Sequence, residues 1–429
     1  MQAPNSAWKS AVKSPCRIEA DYFIETSFDP RAAAEVMAGE QSSGTFVAVP
    51  GETPELKQRA AARVERLEIV DSVAAPTLPR AANGGQKVQR AVATLSWPVD
   101  NIGPSLPNLM ATVAGNLFEL RQFSGLRILD IRLPEIFAAA YPGPKFGVAG
   151  TRDLTGVRRR PLIGSIIKPS VGFDAAQTAE LVGELCEAGI DFIKDDELQA
   201  DGPSCPFDER ARAVMAVVNR HADRSGKKVM IAFNITGDLD QMRRRHDLVL
   251  ALGGTCVMTS LNSIGLVGAI EMGRHTQLPI HAHRNGWGYL TREPMLGWSY
   301  VAWQKFWRLA GADHMHVNGL QSKFFEADDS VIASARACLT PMFDSKPCLT
   351  MPVFSSGQTA RQAAATYAGL GSTDLIVTAG GGVMAHPGGP GAGVESLRLA
   401  YEAAVAGIPL SDHARTHKVL AQALEAKGA

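Results

Sequence analysis

The sequence predicts an α/β protein in which a C-terminal (β/α)8 barrel, residues 141–429, follows a separate α+β domain, residues 1–140. Three observations carry this. From residue 160 onward one pattern recurs eight times: a short apolar run rich in β-branched residues, a polar or glycine turn, then helical periodicity. Residues 17–140 lack that pattern. Between the two lies "AAAYPGPKFGVAG" (138–150), whose proline and glycines have the composition of a linker.

In the first domain "RIEADYFIETSF" (17–28) and "GTFVAVPG" (44–51) are strand-like, and "PNLMATVAGNLFEL" (107–120) is helical. The barrel strands are expected in "LIGSIIK" (162–168), "IDFIKDD" (190–196), "KVMIAFNI" (228–235), "TCVMTS" (255–260), "LPIHAHR" (278–284), "DHMHV" (313–317), "LTMPVFS" (349–355) and "DLIVTAG" (374–380). Between the first two, "DAAQTAELVGELCEAG" (174–189) reads as a helix with Asp174 as its N-cap and Gly189 as its stop. Right-handed crossovers of this length place a helix outside each of eight parallel strands, which closes a barrel. An open doubly wound sheet is the rival. Even spacing, and a glycine run (380–382) after the last strand rather than the first, favour closure.

Composition bounds the function. The 43 basic and 43 acidic residues cancel, so no net field favours nucleic acid or an anionic membrane. Apolar stretches such as "LVLALGG" (248–254) are too short to span a bilayer and the start has no apolar leader, so a cytoplasmic protein is expected. Six cysteines without metal spacing read as free thiols.

Barrel chemistry gathers at the strand C-termini, and polar residues converge there: Lys168, the run Lys194-Asp195-Asp196-Glu197, His281, His283 and Arg284, His314 and His316, Ser355, and Gly380 to Gly382. Lys323 falls in the loop after strand six. Alternation puts Lys194 and Asp196 on one face of strand two and Asp195 on the other. Asp196 and Glu197 are hard oxygen ligands for Mg2+, but a third is wanted. A neutral Lys194 amine could take CO2 as a carbamate and supply it; from spacing alone an ion pair at the strand end is the stronger reading. His281 and His314 read as hydrogen-bonded core residues. The three glycines could cradle a phosphate.

The motifs "GSIIKPS", "GIDFIKDDE", "HAHR", "DHMHVNGLQSK", "VFSSG" and "AGGGVMAHPGG" resemble, in order and spacing, those of the ribulose-bisphosphate carboxylase large subunit, and the chain resembles a Rubisco-like protein along nearly its whole length. "EQSSGTF" (40–46) and "GNLFEL" (115–120) resemble segments lent to a neighbouring subunit's site. The resemblance implies a ferredoxin-like first domain and a homodimer whose active sites borrow Glu40, Thr45 and Asn116 from the partner. It implies a Mg2+ cofactor held by Asp196, Glu197 and a carbamate formed from CO2 on Lys194. It assigns proton transfer to Lys168, a place beside the enediolate to His283, and a carboxylate contact to Lys323. One phosphate site would comprise Arg284, His316 and Ser355, the other Gly357, Gly380 and Gly381 with Thr45.

Departures argue against a carboxylase of ribulose bisphosphate. The family's carboxylases read Lys-Pro-Lys where this chain has Lys168-Pro169-Ser170; Phe46 replaces a tryptophan and Ser356 a glycine. The enolate chemistry remains. Retention of Lys323, Arg284 and His316 favours decarboxylation or C–C hydrolysis of a phosphorylated keto-acid, 3-oxo-isoapionate 4-phosphate, over the alternative, an enolase or isomerase of a methylthio-sugar phosphate. A non-enzymatic barrel would be expected to lose its ligands, and they all stand.

Overall fold

The computed structural model describes residues 16–44 and 49–426. They form two compact units: one takes residues up to Ala140 together with Trp287–Phe306 and Phe343–Ser345, and the other takes the remainder. Segment 287–306, which the sequence pattern places in the barrel domain, thus belongs with the first unit. Of the expected linker, only 141–146 lies between helices, because Ile136–Ala140 and Gly147–Thr155 are both helical.

The first unit is built on β1 (Arg17–Thr26), β2 (Arg63–Val73), β3 (Val88–Pro98) and β4 (Phe123–Arg132), with β10 (Leu296–Trp298) added at one edge in the order β10-β4-β1-β3-β2. The β4-β1-β3-β2 core is antiparallel, and helices Pro30–Glu40 and Leu106–Ala114 follow β1 and β3, giving the expected ferredoxin-like arrangement. Ile18, Ala20, Tyr22 and Ile24 are buried with the period of two that a strand requires. Tyr22 Oη donates to the Val113 carbonyl at 2.7 Å, fastening sheet to helix. Asp29 caps the first helix by accepting from Ala32 N–H at 2.8 Å.

The expected helix over 107–120 stops at Ala114. Gly115 follows in a conformation that would bring a Cβ to 2.3 Å from the Ala111 carbonyl oxygen, and Asn116–Glu119 is a separate 3-10 turn. Of the strand expected over 44–51, residues 45–48 lie outside the described residues, and 44 and 49–51 are not in a strand. The long strands β2 and β3 were not singled out in the sequence. Exposure of β2 on both faces blurs its alternation.

The second unit holds β5 (Leu162–Ile166), β6 (Phe192–Lys194), β7 (Met230–Asn234), β8 (Cys256–Ser260), β9 (Ile280–His283), β11 (His314–His316), β12 (Met351–Phe354) and β13 (Ile376–Thr378). All eight lie inside the predicted runs. Every neighbouring pair is parallel, and the β9–β11 pair, with His314 opposite His281, closes the barrel against the open-sheet rival. Helix Ala175–Glu187 carries the expected cap: Asp174 accepts from Gln177 N–H at 2.8 Å, the Gln177 side chain accepts from Asp174 N–H at 3.1 Å, and Gly189 ends the turn at φ 76°.

Leu162, Phe192, Met230, Met258, Met351 and Val353 pack in the barrel core. Phe192 fits because β5 offers Gly164 opposite it; a Cβ there would lie 3.1 Å from the Phe192 ring. All six cysteines are free thiols. No described helix is long and apolar enough to cross a membrane.

Asp191, just before β6, ties three elements together. Its fully buried carboxylate accepts from Ile163 N–H at 2.9 Å, Arg160 Nη2 at 3.0 Å and Lys227 Nζ at 2.7 Å. Burial alone would raise its pKa, but the bond and charge of Arg160 and the charge of Lys227 outweigh it and hold the carboxyl below its ordinary value. Asp191→Asn is expected to cost about 3 kcal/mol in chemical denaturation at neutral pH, because the cations lose their buried partner. A depressed carboxylate pKa stabilises the fold above its unfolded value. The difference between wild type and variant should therefore be full above about pH 4 and shrink as pH falls through the lower folded value.

Candidate active site

Most of the predicted barrel residues stand at or just beyond a strand C-terminus. Lys194 ends β6, His283 ends β9 and His316 ends β11; Arg284 and Ser355 each follow their strand by one residue, and Lys168 and Gly380 by two. Parallel strands of a closed barrel all end at the same mouth, so topology alone brings these distant positions together.

The acids of "FIKDDE" diverge as alternation requires. Asp195 turns away and accepts from Arg210 Nη2 at 3.2 Å and Asn234 N–H at 2.9 Å. Asp196 meets Lys168, whose Nζ lies 2.7 Å from its Oδ2. Lys194 has a fully buried side chain; its Nζ donates to the Asp195 carbonyl at 2.6 Å and lies 3.9 Å from Glu197 Oε2. Burial drives its pKa below the ordinary lysine value, against the pull of Glu197, Asp196 and Asp195. Burial tends to raise Asp196, but the Lys168 bond, the Leu198 N–H and the two lysine charges bring it below the usual aspartate range. The strand-end ion pair expected of Lys194 is thus divided: Asp196 pairs closely with Lys168, and Lys194 keeps only a longer approach to Glu197.

His283 Nε2 lies 3.5 Å from Glu197 Oε2, while its Nδ1 accepts from Asn285 N–H at 3.2 Å. Burial, with Lys194 nearby, lowers its pKa to about 3, so the ring is neutral and its proton sits on Nε2, toward the acids. Asn234, at the end of β7, donates to the carbonyls of Asp196 and Glu197 at 3.2 and 3.3 Å and so fixes the backbone that carries them. Sequence reasoning missed it; a polar residue ending an otherwise apolar strand was the available signal.

His281 and His314 are core residues, as read. His314 Nε2 lies 2.8 Å from Thr151 Oγ1, and His281 Nε2 lies 2.7 Å from His316 Nε2. His316 Nδ1 in turn lies 3.1 Å from Ser355 Oγ. Arg284 Nη2 donates to Glu326 Oε2 at 2.7 Å, both side chains being nearly buried; Glu326 is a second residue the sequence did not flag.

At strands seven and eight, Gly357 has φ 80°, where only glycine is unstrained, and a Cβ on Gly380 would stand 3.4 Å from Lys168 Cε. A short helix begins at Gly381, leaving first-turn N–H groups without intrahelical acceptors. Lys323 is exposed in its loop, its Nζ 5.4 Å from the Phe324 ring centre. In the first unit, Asn116 Nδ2 lies 3.5 Å from Glu40 Oε1. Thr45 and Phe46 lie outside the described residues.

The mouth thus sets two carboxylates, hard oxygen donors of the kind that suits Mg2+, beside two lysines and a neutral histidine: Lys168 lies 2.7 Å from Asp196, and Lys194 and His283 lie 3.9 and 3.5 Å from Glu197. A histidine–aspartate group elsewhere, His246, Asp247 and His275, does not suit a metal. His246 Nε2 accepts from Gln277 N–H at 3.1 Å, so Nδ1, the atom facing Asp247, carries the ring proton.

Comparison with known proteins agrees with this geometry. Residues 147–426 match the catalytic domain, and residues 20–137 the N-terminal domain, of the ribulose bisphosphate carboxylase large chain. A 3-oxo-isoapionate-4-phosphate transcarboxylase/hydrolase of Xanthobacter autotrophicus is 62% identical over 408 residues, 95% of this chain and 98% of its own. A 3-oxo-isoapionate-4-phosphate decarboxylase of Rhizobium rhizogenes is 46% identical over 94% of this chain and 96% of its own. The crystal structure of a rubisco-like protein from Burkholderia fungorum superposes with a TM-score of 0.90 at 49% identity, covering 96% of this chain and 100% of that one. With both domains matched and the strand-end residues gathered at one barrel mouth, the chain belongs to the ribulose bisphosphate carboxylase large-chain family, as one of its Rubisco-like members.

Proposed function

We propose that the protein is a Mg2+-dependent enzyme acting on 3-oxo-isoapionate 4-phosphate, which it cleaves at a carbon–carbon bond by way of an enolate. The observation that carries this reading is the buried Lys194 amine set against Glu197 and beside the Lys168–Asp196 pair, in a chain 62% identical to a transcarboxylase/hydrolase of that substrate.

Asp196, Glu197 and a carbamate on Lys194 would hold the cation. An uncharged amine attacks CO2, forming an N–C bond and releasing a proton, and burial of Lys194 favours that uncharged form. Bound Mg2+ supplies a Lewis acid at which negative charge on the substrate's oxo oxygen is stabilised. The chain's own groups do the rest. In a decarboxylation the bond to the carboxylate breaks, CO2 leaves, its electron pair becomes the enolate, and Lys168 returns a proton to carbon. In a hydrolysis water adds at the oxo carbon, the adjacent C–C bond breaks, and the departing carbanion takes the proton, leaving two acids. The higher identity to the transcarboxylase/hydrolase, 62% against 46% for the decarboxylase, favours the second course. His283, neutral with its Nε2 proton toward Glu197, would donate to the substrate as charge develops. Lys323 would meet the substrate carboxylate, and Gly357, Gly380 and Gly381 would take one anionic end while Arg284, His316 and Ser355 take the other. A second copy of the chain would contribute Glu40, Thr45 and Asn116, completing each site across a homodimer.

Incubation with 3-oxo-isoapionate 4-phosphate should yield a cleaved acid or CO2, followed by mass spectrometry and by trapped CO2. Neither product, or turnover of a methylthio-sugar phosphate instead, would replace this reading. Mg2+ with bicarbonate should raise the melting temperature, since a ligand of the native state must. The shift should weaken at lower pH, where Lys194 is protonated, and vanish in Lys194→Ala. Asn234→Ala, which frees the backbone beneath Asp196 and Glu197, is expected to weaken Mg2+ about tenfold in calorimetric titration.

A further inference from the structure

A continuous line of side chains runs behind Ser355. His281 Nε2 lies 2.7 Å from His316 Nε2, and His316 Nδ1 lies 3.1 Å from Ser355 Oγ. Ser355 Oγ is 3.4 Å from Ser356 Oγ, Ser356 Oγ is 3.0 Å from Asn318 Oδ1, and Asn318 Nδ2 is 3.0 Å from Glu326 Oε2.

The two ends of this line set the direction of every proton in it. Glu326, ion-paired with Arg284, offers Asn318 only acceptors, so the Asn318 amide turns its NH2 to Glu326 and its oxygen to Ser356. Ser356 must then spend its single proton on Asn318, which leaves only lone pairs facing Ser355. At the other end, His281 Nδ1 is buried without a partner among the described residues. A proton there would be an orphaned donor, so the proton sits on Nε2 and is donated to His316. His316, kept neutral by burial, carries its own proton on Nδ1 and donates it to Ser355, so it serves the anionic end through Ser355 rather than by a bond of its own. Both ends agree. Ser355 Oγ accepts from His316, and its O–H is held only by a long 3.4 Å contact.

The backbone gives a second, independent sign. Asn318 and Ser356 have φ 75° and 69°, the left-handed region that side chains other than asparagine's seldom occupy. The Ser355 N–H also donates to the Asn318 carbonyl at 3.1 Å, so Asn318 holds both serines, Ser355 by its backbone and Ser356 by its side chain. Strain of this kind persists where the surroundings enforce it, commonly at functional sites.

We propose that Ser356 is a positioning residue: its hydroxyl, locked by Asn318 and Glu326, commits Ser355 to act as a proton donor toward a phosphate oxygen of the substrate. This rests on the reading that Ser355 faces that phosphate. When a phosphate oxygen arrives, the Ser355 O–H swings from its long contact with Ser356 to the anion, and no other proton in the line has to move.

Two variants test this, with inorganic phosphate as probe in isothermal titration calorimetry and Arg284→Met as the background for binding elsewhere. Ser356→Gly removes both hydroxyl and strain, and Ser356→Ala removes the hydroxyl alone. Both should bind phosphate about tenfold more weakly, while the glycine variant melts at or above the wild-type temperature. Opposite movement of affinity and stability is what a merely structural serine would not produce. Phosphate binding within twofold of wild type in either variant, a glycine variant that melts lower than wild type, or a wild type that binds no phosphate would each overturn the proposal. If the alanine variant does not fold, the glycine variant decides alone. A wild type that binds phosphate but does not turn over 3-oxo-isoapionate 4-phosphate removes the functional reading and leaves this one standing.

Discussion

Lys194 is an amine with no solvent-exposed side-chain surface, set among three acids, and the rest of the site is arranged around that fact. An isolated ammonium in such a place is costly, so the group must either find partners or lose its charge. The barrel supplies partners sparingly. Asp195 is turned outward and held by Arg210, Asp196 is taken by Lys168, and Lys194 is left with a backbone carbonyl and a distant Glu197. The arrangement makes the uncharged amine accessible while keeping two carboxylate groups within reach of it. A tighter Lys194–Asp196 pair would have stabilised the cation and removed that chemistry.

The histidines of the barrel interior follow the same logic. His281, His314 and His316 are all buried, and burial depresses the pKa of each, to about 3 for His314. They are polar but uncharged, and they pair with one another, with Thr151 and with Ser355 rather than with acids. Phe192 packs 5.0 Å from the His281 ring, filling the barrel beneath them. The mouth therefore combines a floor of neutral hydrogen-bonding groups with charge confined to the lysines and acids above it. Charge developing on a bound substrate would meet little competing field from below.

Much of this was legible in the sequence, because a barrel converts strand ends into neighbours and strand ends show in the hydrophobic pattern. Lys168, Lys194, His283, His316 and Ser355 all follow from that one rule. Asn234 ends β7 and falls under the same rule, though it was passed over; Asn318 and Glu326 do not, for a physical reason: each acts through hydrogen bonds to residues 8 to 42 positions away, and such partnerships carry no periodicity. The assignment of Trp287–Phe306 to the first unit was hidden likewise, since the parallel β10–β4 pairing joins residues more than 160 positions apart. In the first unit, β2 and β3 are long and regularly paired, yet β2 is exposed on both faces and its charges alternate with little regard to side.

Two serines stand where the family's carboxylases carry other residues, and their contacts give a common reason. Ser170 Oγ accepts from Lys168 Nζ at 2.7 Å, so the lysine that bonds Asp196 is steadied by a neutral hydroxyl rather than repelled by a second cation. On the proposed function, the positive field beside the reacting carbons would be correspondingly smaller. A carboxylate formed there would be held less firmly and one already present would leave more readily, which accords with cleavage over fixation. Ser356 does the complementary work at the other end by accepting left-handed backbone strain to place a hydroxyl in the line behind Ser355. Each exchange trades charge or conformational ease for a directed hydrogen bond, and on the proposed function together they would suit the mouth to a substrate that already bears a carboxyl group.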